Sequence, residues 1–581
     1  MRTLRYTRNL VALAAATALS LSATGPASGA GPVVYVDQGS KWGQAQRDGF
    51  YTVDQGSRLI PLKWAQALKR PDGRPFLQDG LARYGYLPNP NARSGLPVGF
   101  MAAGPLGSED LAMNCSACHT RQIVVGDTQY RIDGGPAIVD FQGLLTDLVA
   151  AIGRTLADDQ AFAAFAASTG TSPGDVAALK QSVALWHQRE STLVANALPG
   201  NLSWGLGRLD AVSMIFNRLA GMDLGPAPSY LIPGNIKPAK APVRYPFLWN
   251  ASVQDRTQWP GFAQNGDDLL AKARNLGQVY GVFGVYRPRR DGNRVDFLHE
   301  NSVDWAGLDR MEGYVKRLGA PKWPWGYDRT LAREGQRVFE RDWREGGCAQ
   351  CHGERRGAFR LFRPLWDGPT WSTPLCDVGT DTLQYEILHR PADSGILKGA
   401  RRPFGQPLPA ETDVFDLLAI SVIGSIFQQT VGFSLFTYGA AEAGHSGPRK
   451  MLAAETHQRL ASVYAPETNK SCPIPNTGKH MYESRVLKGI WAAAPYLHNG
   501  SVPTLADLLK PGKDRSKAFR LGNRYDRDSI GLAADQGSSA PERDTKGCGD
   551  LNSGESRCGH EFGTNLSDSD KRALLEYLKS I

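Results

Sequence analysis

The chain has 581 residues, 41% hydrophobic and 21% charged. It is too long for one compact core and too apolar for a disordered chain, so two or three folded domains are expected. The formal charge of +9 is scattered, with no Lys/Arg block, so composition argues weakly for an acidic partner and gives no case for nucleic acid.

The chain opens with Arg2, Arg5 and Arg8, an apolar run from Leu10 to Leu21, and small residues ending Ala27-Ser28-Gly29-Ala30. This is the pattern of a secretory signal peptide cut after Ala30, and it implies a periplasmic or secreted protein. Its loss removes three arginines and no acid, taking the charge from +9 to +6. No later run approaches the length of a membrane helix, so no membrane span is expected. Residues 31–110 carry scattered turns, Pro88-Asn89-Pro90-Asn91 and Gly95-Leu96-Pro97, and read as wrapping with little regular structure.

Asn114-Cys115-Ser116-Ala117-Cys118-His119 then contains C-x-x-C-H, which recurs at Cys348-Ala349-Gln350-Cys351-His352. Two thiols three residues apart add across the two vinyl groups of one porphyrin, and the adjacent histidine supplies an axial nitrogen to the iron. With 8 Cys and 10 His in 581 residues, chance supplies about 0.002 such pentads. The alternatives are zinc half-sites or a redox C-x-x-C pair, but His119 and His352 lie 233 positions apart, far beyond the usual zinc-module spacing. The spacing implies two covalently bound haem c groups. Attachment needs reduced thiols and haem delivered outside the cytoplasm, in agreement with the signal peptide.

Further along, the alternation over 126–136, ending Asp133-Gly134-Gly135-Pro136, predicts a short strand and tight turn. Residues 137–220 are helical in character, with apolar spacing at i, i+3, i+4 over Asp140 to Ile152 and Val176 to Ala197. The stretch 224–265 is Pro-rich, then aromatic, with Tyr245-Pro246-Phe247-Leu248-Trp249 and Trp259-Pro260-Gly261-Phe262. Proline keeps it out of a helix interior, so its rings either pack a core or wall a haem pocket or substrate channel. Pro321-Lys322-Trp323-Pro324-Trp325-Gly326-Tyr327 marks a domain boundary, separating an N-terminal haem domain, 31–325, from a C-terminal one, 326–581.

Ala332, Gly335, Val338 and Phe339 sit at helical spacing just before Cys348, as in the cytochrome c helix that crosses the C-terminal helix closely at a small residue. Ser567-Asp568-Ser569-Asp570 caps a closing helix whose stripe is Ala573, Leu574, Tyr577, Leu578 and Ile581. Four cysteines remain. Cys548 and Cys558 enclose a Gly/Ser/Asn-rich loop and are paired on that ground, leaving Cys376 with Cys472; free buried thiols are the alternative. The expected fold class is mainly α, two c-type cytochrome domains with long irregular loops, inserts and few short strands.

Lys488-Gly489-Ile490-Trp491, followed by Ala494-Pro495-Tyr496-Leu497-His498-Asn499-Gly500-Ser501-Val502-Pro503-Thr504-Leu505, resembles a segment shared by bacterial diheme cytochrome c peroxidases and the diheme enzyme that matures methylamine dehydrogenase. Leu96-Pro97-Val98-Gly99-Phe100, Ile132-Asp133-Gly134-Gly135-Pro136 and Gly559-His560-Glu561-Phe562-Gly563 narrow the resemblance to the branch of diheme rubber oxygenases. It implies a reactive N-terminal haem held by Cys115, Cys118 and His119, with an aromatic pocket to which Phe247, Trp249 and Phe262 fit in type. It also implies an electron-transfer haem held by Cys348, Cys351 and His352, with His560 as second axial ligand. His498 and then Met481 compete with His560; His498 is expected instead to donate to a haem propionate.

The function implied is activation of dioxygen or peroxide at the His119 haem. Rubber-oxygenase-like dioxygenation of an apolar substrate competes with hydrogen peroxide reduction fed by a small redox partner or other electron donor. A plain diheme electron carrier is the reading from another class.

Overall fold

The computed structural model describes residues 31–92, 94–200, 202–292, 294–355, 370–400, 407–431, 472–475 and 478–581; the expected signal peptide lies outside them. Of the described residues 38% are helical and 16% strand, the latter in nine sheets of two or three strands. The fold is therefore mixed helix and strand, which corrects the expected mainly-α class. Most of the strands were hidden because they are two to four residues long and pair across distant sequence, leaving no alternation to read. One hydrophobic cluster crosses the expected boundary, joining Val36, Phe50 and Trp249 to Val338, Trp491 and Leu574.

Residues 31–113 are more regular than the wrapping expected of them. Strand β1 (Val33–Tyr35) begins this part. Strands β2 (Ile60–Pro61), β3 (Phe100–Ala103) and β4 (Asp110–Met113) form one antiparallel sheet with β4 central. Strands β5 (Thr120–Val125) and β6 (Thr128–Asp133) form a hairpin in which β6 is the predicted short strand, and β1 adds to β6 in parallel. The first pentad is the link between these two sheets, so both of its ends are anchored by strand pairing.

Helix α1 (Phe141–Ala157) starts where predicted, capped by Asp140, which accepts from the Gly143 amide. Helix α2 (Val176–Ala197) has the predicted bounds. Helix α3 (Ala211–Met222) falls largely within the stretch 137–220 that reads as helical, whereas α4 (Asp268–Gly281) and α5 (Trp305–Arg317) were not read from the sequence. Residues Val212 to Met222 of α3 are all buried, the polar Ser213, Asn217 and Arg218 among them.

Helix α6 (Arg329–Phe339) precedes the second pentad, α7 (Val414–Val431) packs with α3 and α4, and α8 (Asp568–Ser580) closes the chain. The crossing of α6 and α8 is as tight as the small residues predicted: a Cβ on Gly335 would lie 1.9 Å from the Ala573 carbonyl oxygen. The expected cap is present, Ser567 Oγ accepting from the Asp570 amide, and Asp570 takes both ends of the Arg341 guanidinium.

The stretch 321–327 is no bare linker. Trp323 and Trp325 pack on the fully buried Trp491, at 5.3 and 5.8 Å between ring centres, and Trp325 stacks on Tyr525. Both expected disulfides are formed, Cys376–Cys472 and Cys548–Cys558. Among the described residues no helix is long and apolar enough to cross a membrane.

Candidate haem sites

Cys115–Ala117 forms a single 3-10 turn, held by Asn114. The Asn114 side chain accepts from the Ser116 amide at 3.0 Å and donates to the carbonyls of Phe50 and Val53. The Leu96–Phe100 stretch lies directly on this turn. Gly99 has φ +80°, and a Cβ there would sit 2.2 Å from the Ala117 nitrogen, so only glycine fits. This gives a physical reason for Val98-Gly99-Phe100.

His119 points its Nδ1 at the Pro246 carbonyl, 2.8 Å away. A carbonyl can only accept, so Nδ1 carries the proton and Nε2 keeps its lone pair. Burial pushes the imidazole down to about 4, keeping it neutral, with help from the nearby Arg485 charge. Burial likewise pushes the Cys115 and Cys118 thiols up, to about 11 and 12. Among the described residues, the ring packed against His119 is the phenol of Tyr245, edge-on at 5.9 Å, and not a second imidazole.

The three candidate aromatics do not gather around one point. Phe247 and Trp249 are buried and stacked at 4.7 Å and 14°. They follow Pro246, and so belong to the segment that holds His119 from its Nδ1 side. Phe262 is apart, edge-on to Phe415 at 5.7 Å. It lines a small cavity with Ile215, Phe216, Ala273, Gly277 and Leu418, whose accessible wall is almost wholly apolar. Arg274, also on that wall, pairs with Glu312, and both charges are felt at Cys115.

At the second pentad, His352 donates from Nδ1 to the Arg485 carbonyl at 2.7 Å, the same arrangement as at His119. Burial again lowers its pKa. The ring centre of His560 lies 6.0 Å from that of His352, with 48° between the planes.

His560 is fixed by its loop. Its φ is +53°, its amide donates to the Val378 carbonyl, and Arg515 donates to the carbonyls of Arg557, Gly559 and His560 at 2.7, 2.7 and 3.0 Å. Unlike the other two histidines, His560 has a buried Nδ1 without a hydrogen-bond partner.

His498 is not at this site. It stacks on Tyr482 at 4.2 Å and meets the edge of Trp259 at 6.4 Å. Met481 directly precedes the two-residue strand Tyr482–Glu483.

These donor sets suit covalently held haem. All four pentad cysteines are free, whereas the other four are paired in disulfides. Both pentad histidines donate one ring nitrogen to a carbonyl, the usual arrangement that fixes a metal-bound imidazole and strengthens its other nitrogen. The separation of His352 and His560 leaves room for one metal ion at the ~2.0–2.1 Å of a metal–imidazole bond to each ring. Cys115, Cys118 and His119 would hold one group; Cys348, Cys351, His352 and His560 would hold the other.

Sequence reasoning picked out the Tyr245–Trp249 stretch as a candidate pocket wall but missed the carbonyl roles of Pro246 and Arg485 and the part played by Arg515. Two of these act through main-chain carbonyls, which no residue pattern announces. Arg515 had a faint signal as a lone arginine following Pro511-Gly512.

Compared with known proteins, residues 481–520 match a family described as RoxA-like, cytochrome c-like. That stretch holds Arg485, His498 and Arg515. The match links the chain to the RoxA (rubber oxygenase) cytochromes and points to haem c and a redox role. The chain is also 28% identical to the uncharacterised protein y4iJ of Sinorhizobium fredii, over 94% of this chain and 93% of that protein. It is 23% identical to the uncharacterised protein y4iM of the same organism, over 50% of this chain and 49% of that one.

Proposed function

We propose that this chain is an exported diheme c-type cytochrome oxidoreductase, with residues 1–30 as its leader and the bacterial periplasm or the exterior as its destination. In this reading the His119 haem activates a small oxidant and the His352 haem moves electrons. The observation that carries it is the asymmetry of the two histidines. His352 has a second imidazole 6.0 Å away, whereas His119 has a phenol edge as its ring neighbour. When bound, the iron porphyrin supplies the redox chemistry at both places. The chain's own residues hold each histidine neutral and aligned, and among the described residues a second imidazole faces His352 but none faces His119.

Dioxygenase-like attack on an apolar substrate is the favoured reaction. The small apolar cavity beside Phe262, bordered by the Arg274–Glu312 pair near Cys115, supports a dry environment in which dioxygen and an alkene would be favoured over water. The link to the rubber-oxygenase cytochromes agrees with this.

A second reading, reduction of hydrogen peroxide, is favoured by Glu312. It is buried, accepts from Arg274 and Asn275, and has one carboxylate oxygen without a partner. Heterolytic peroxide cleavage uses such a group to move a proton.

The deciding experiment uses the purified two-haem protein and follows oxygen and peroxide consumption separately. Oxygen uptake that depends on an added polyisoprene or short alkene supports the first reading. Peroxide consumption coupled to a one-electron donor and lost in Glu312→Gln supports the second. Neither activity, together with two low-spin haems, would leave an electron carrier.

A further inference from the structure

The two carbonyl-to-imidazole bonds end on one packed unit. The Arg485 carbonyl accepts from His352 at 2.7 Å, and the Arg485 guanidinium lies over the Phe247 ring, 4.0 Å from its centre. Phe247 follows Pro246, whose carbonyl accepts from His119 at 2.8 Å. One imidazole therefore reaches the other through His352, Arg485, Phe247, Pro246 and His119, each step a hydrogen bond, a covalent link or a ring contact.

Both strands of this link are held rigidly. Arg485 is buried, and its Nε and one terminal nitrogen donate to Gln254 Oε1 at 3.3 and 3.0 Å. The buried Glu483 carboxylate stands 3.9 Å away, with neither oxygen hydrogen-bonded. Beside that ion pair, the aromatic face of Phe247 is a further partner for the cation, a contact that strengthens when it is shielded from water. Phe247 in turn stacks on Trp249, whose Nε1 donates to the Lys488 carbonyl at 2.8 Å. The segments 246–249 and 485–488 thus grip each other twice, Arg485 on Phe247 and Lys488 on Trp249.

A carbonyl that accepts from a metal-bound imidazole sets the ring's orientation and the donor strength of its other nitrogen. A unit that carries both such carbonyls cannot move at one site without moving at the other. We propose that Arg485 is a positioning residue coupling the two haem sites: its carbonyl sets His352, and its side chain, through Phe247 and Pro246, sets His119. This rests on the two-haem reading above.

The test uses the purified holoprotein and the variants Arg485→Gln, Arg485→Lys, Phe247→Leu and the double Arg485→Gln with Phe247→Leu. Intact mass first counts the attached haems; electron paramagnetic resonance and a spectroelectrochemical titration then read each haem separately. Each single variant is expected to shift the signals and midpoint potentials of both haems. The double variant is expected to shift them no further than Arg485→Gln alone, because both changes break the same contact. Shifts confined to one haem, or a double variant equal to the sum of its parts, would overturn the coupling while leaving the two-haem reading intact. Should Arg485→Gln fail to fold, Arg485→Lys and Phe247→Leu carry the same criterion: both haems must move in each. A wild-type protein with fewer than two haems would sink the two-haem reading and the coupling with it, and mass alone would reveal that.

Discussion

His352 and His560 face each other at 6.0 Å between ring centres, yet only His352 has its second ring nitrogen hydrogen-bonded to a carbonyl. His560 is fixed through its backbone instead. A histidine held that way can supply a nitrogen to a metal but gains none of the added donor strength that a carbonyl partner gives.

On the two-haem reading proposed above, replacing His560 with alanine is expected to leave both haems covalently attached while converting the second from low-spin to high-spin or water-ligated. Optical and electron paramagnetic resonance spectra of the variant check this. Two strong-field ligands persisting on that haem would move the ligand assignment to another residue.

Arg515 is the second prediction. Its guanidinium donates to five main-chain carbonyls, those of Leu508, Lys510, Arg557, Gly559 and His560. A lysine has at most three donors, so Arg515→Lys leaves at least two of these partly buried acceptors unpaired and should cost about 2–4 kcal/mol. Denaturant unfolding measures the loss, and the His560-dependent spectrum should weaken in parallel. A variant as stable as the wild type would mean that the loop is held by other contacts.

The two disulfides should differ in worth. Cys376 and Cys472 are 96 residues apart and Cys548 and Cys558 only 10. Chain entropy then assigns about 4.7 kcal/mol to the first and about 2.7 kcal/mol to the second. Urea midpoints of Cys472→Ser and Cys548→Ser should fall in that order; the reverse order would show that local strain outweighs loop closure.

A fourth prediction concerns acid stability. Burial, with Arg244 nearby, pushes His498 down to about 3, from an unfolded value near 6.5. Between these values the unfolded chain binds the proton and the folded one does not. The stabilising contribution of His498 is thus complete above about pH 6.5 and is lost as pH falls toward 3, on the order of 4 kcal/mol across the window. His498→Phe keeps a flat ring against Tyr482 and removes the titration. Its stability should fall less steeply than that of the wild type between pH 6.5 and 3, as measured by denaturant unfolding at each pH. Equal slopes would remove His498 from the acid-sensitive groups.

What could be read directly from the sequence was whatever neighbouring residues decide among themselves. The pentads are local covalent chemistry: two thiols and a histidine at fixed spacing specify one attachment geometry wherever they fall. The Ser567 cap and the Gly335 approach to α8 follow from local periodicity and from the absence of a side chain, and both appeared as expected. Periodicity failed for the two- to four-residue strands, whose partners are distant. This is the reason the fold is mixed rather than mainly α. Tertiary structure alone decided which carbonyl each histidine meets, 127 residues away for His119 and 133 for His352. It also placed His560 opposite His352, set His498 apart from both, and separated Phe262 from Phe247 and Trp249. A main-chain carbonyl is chemically the same in every residue, so only the path of the folded backbone can bring Pro246 and Arg485 to these imidazoles.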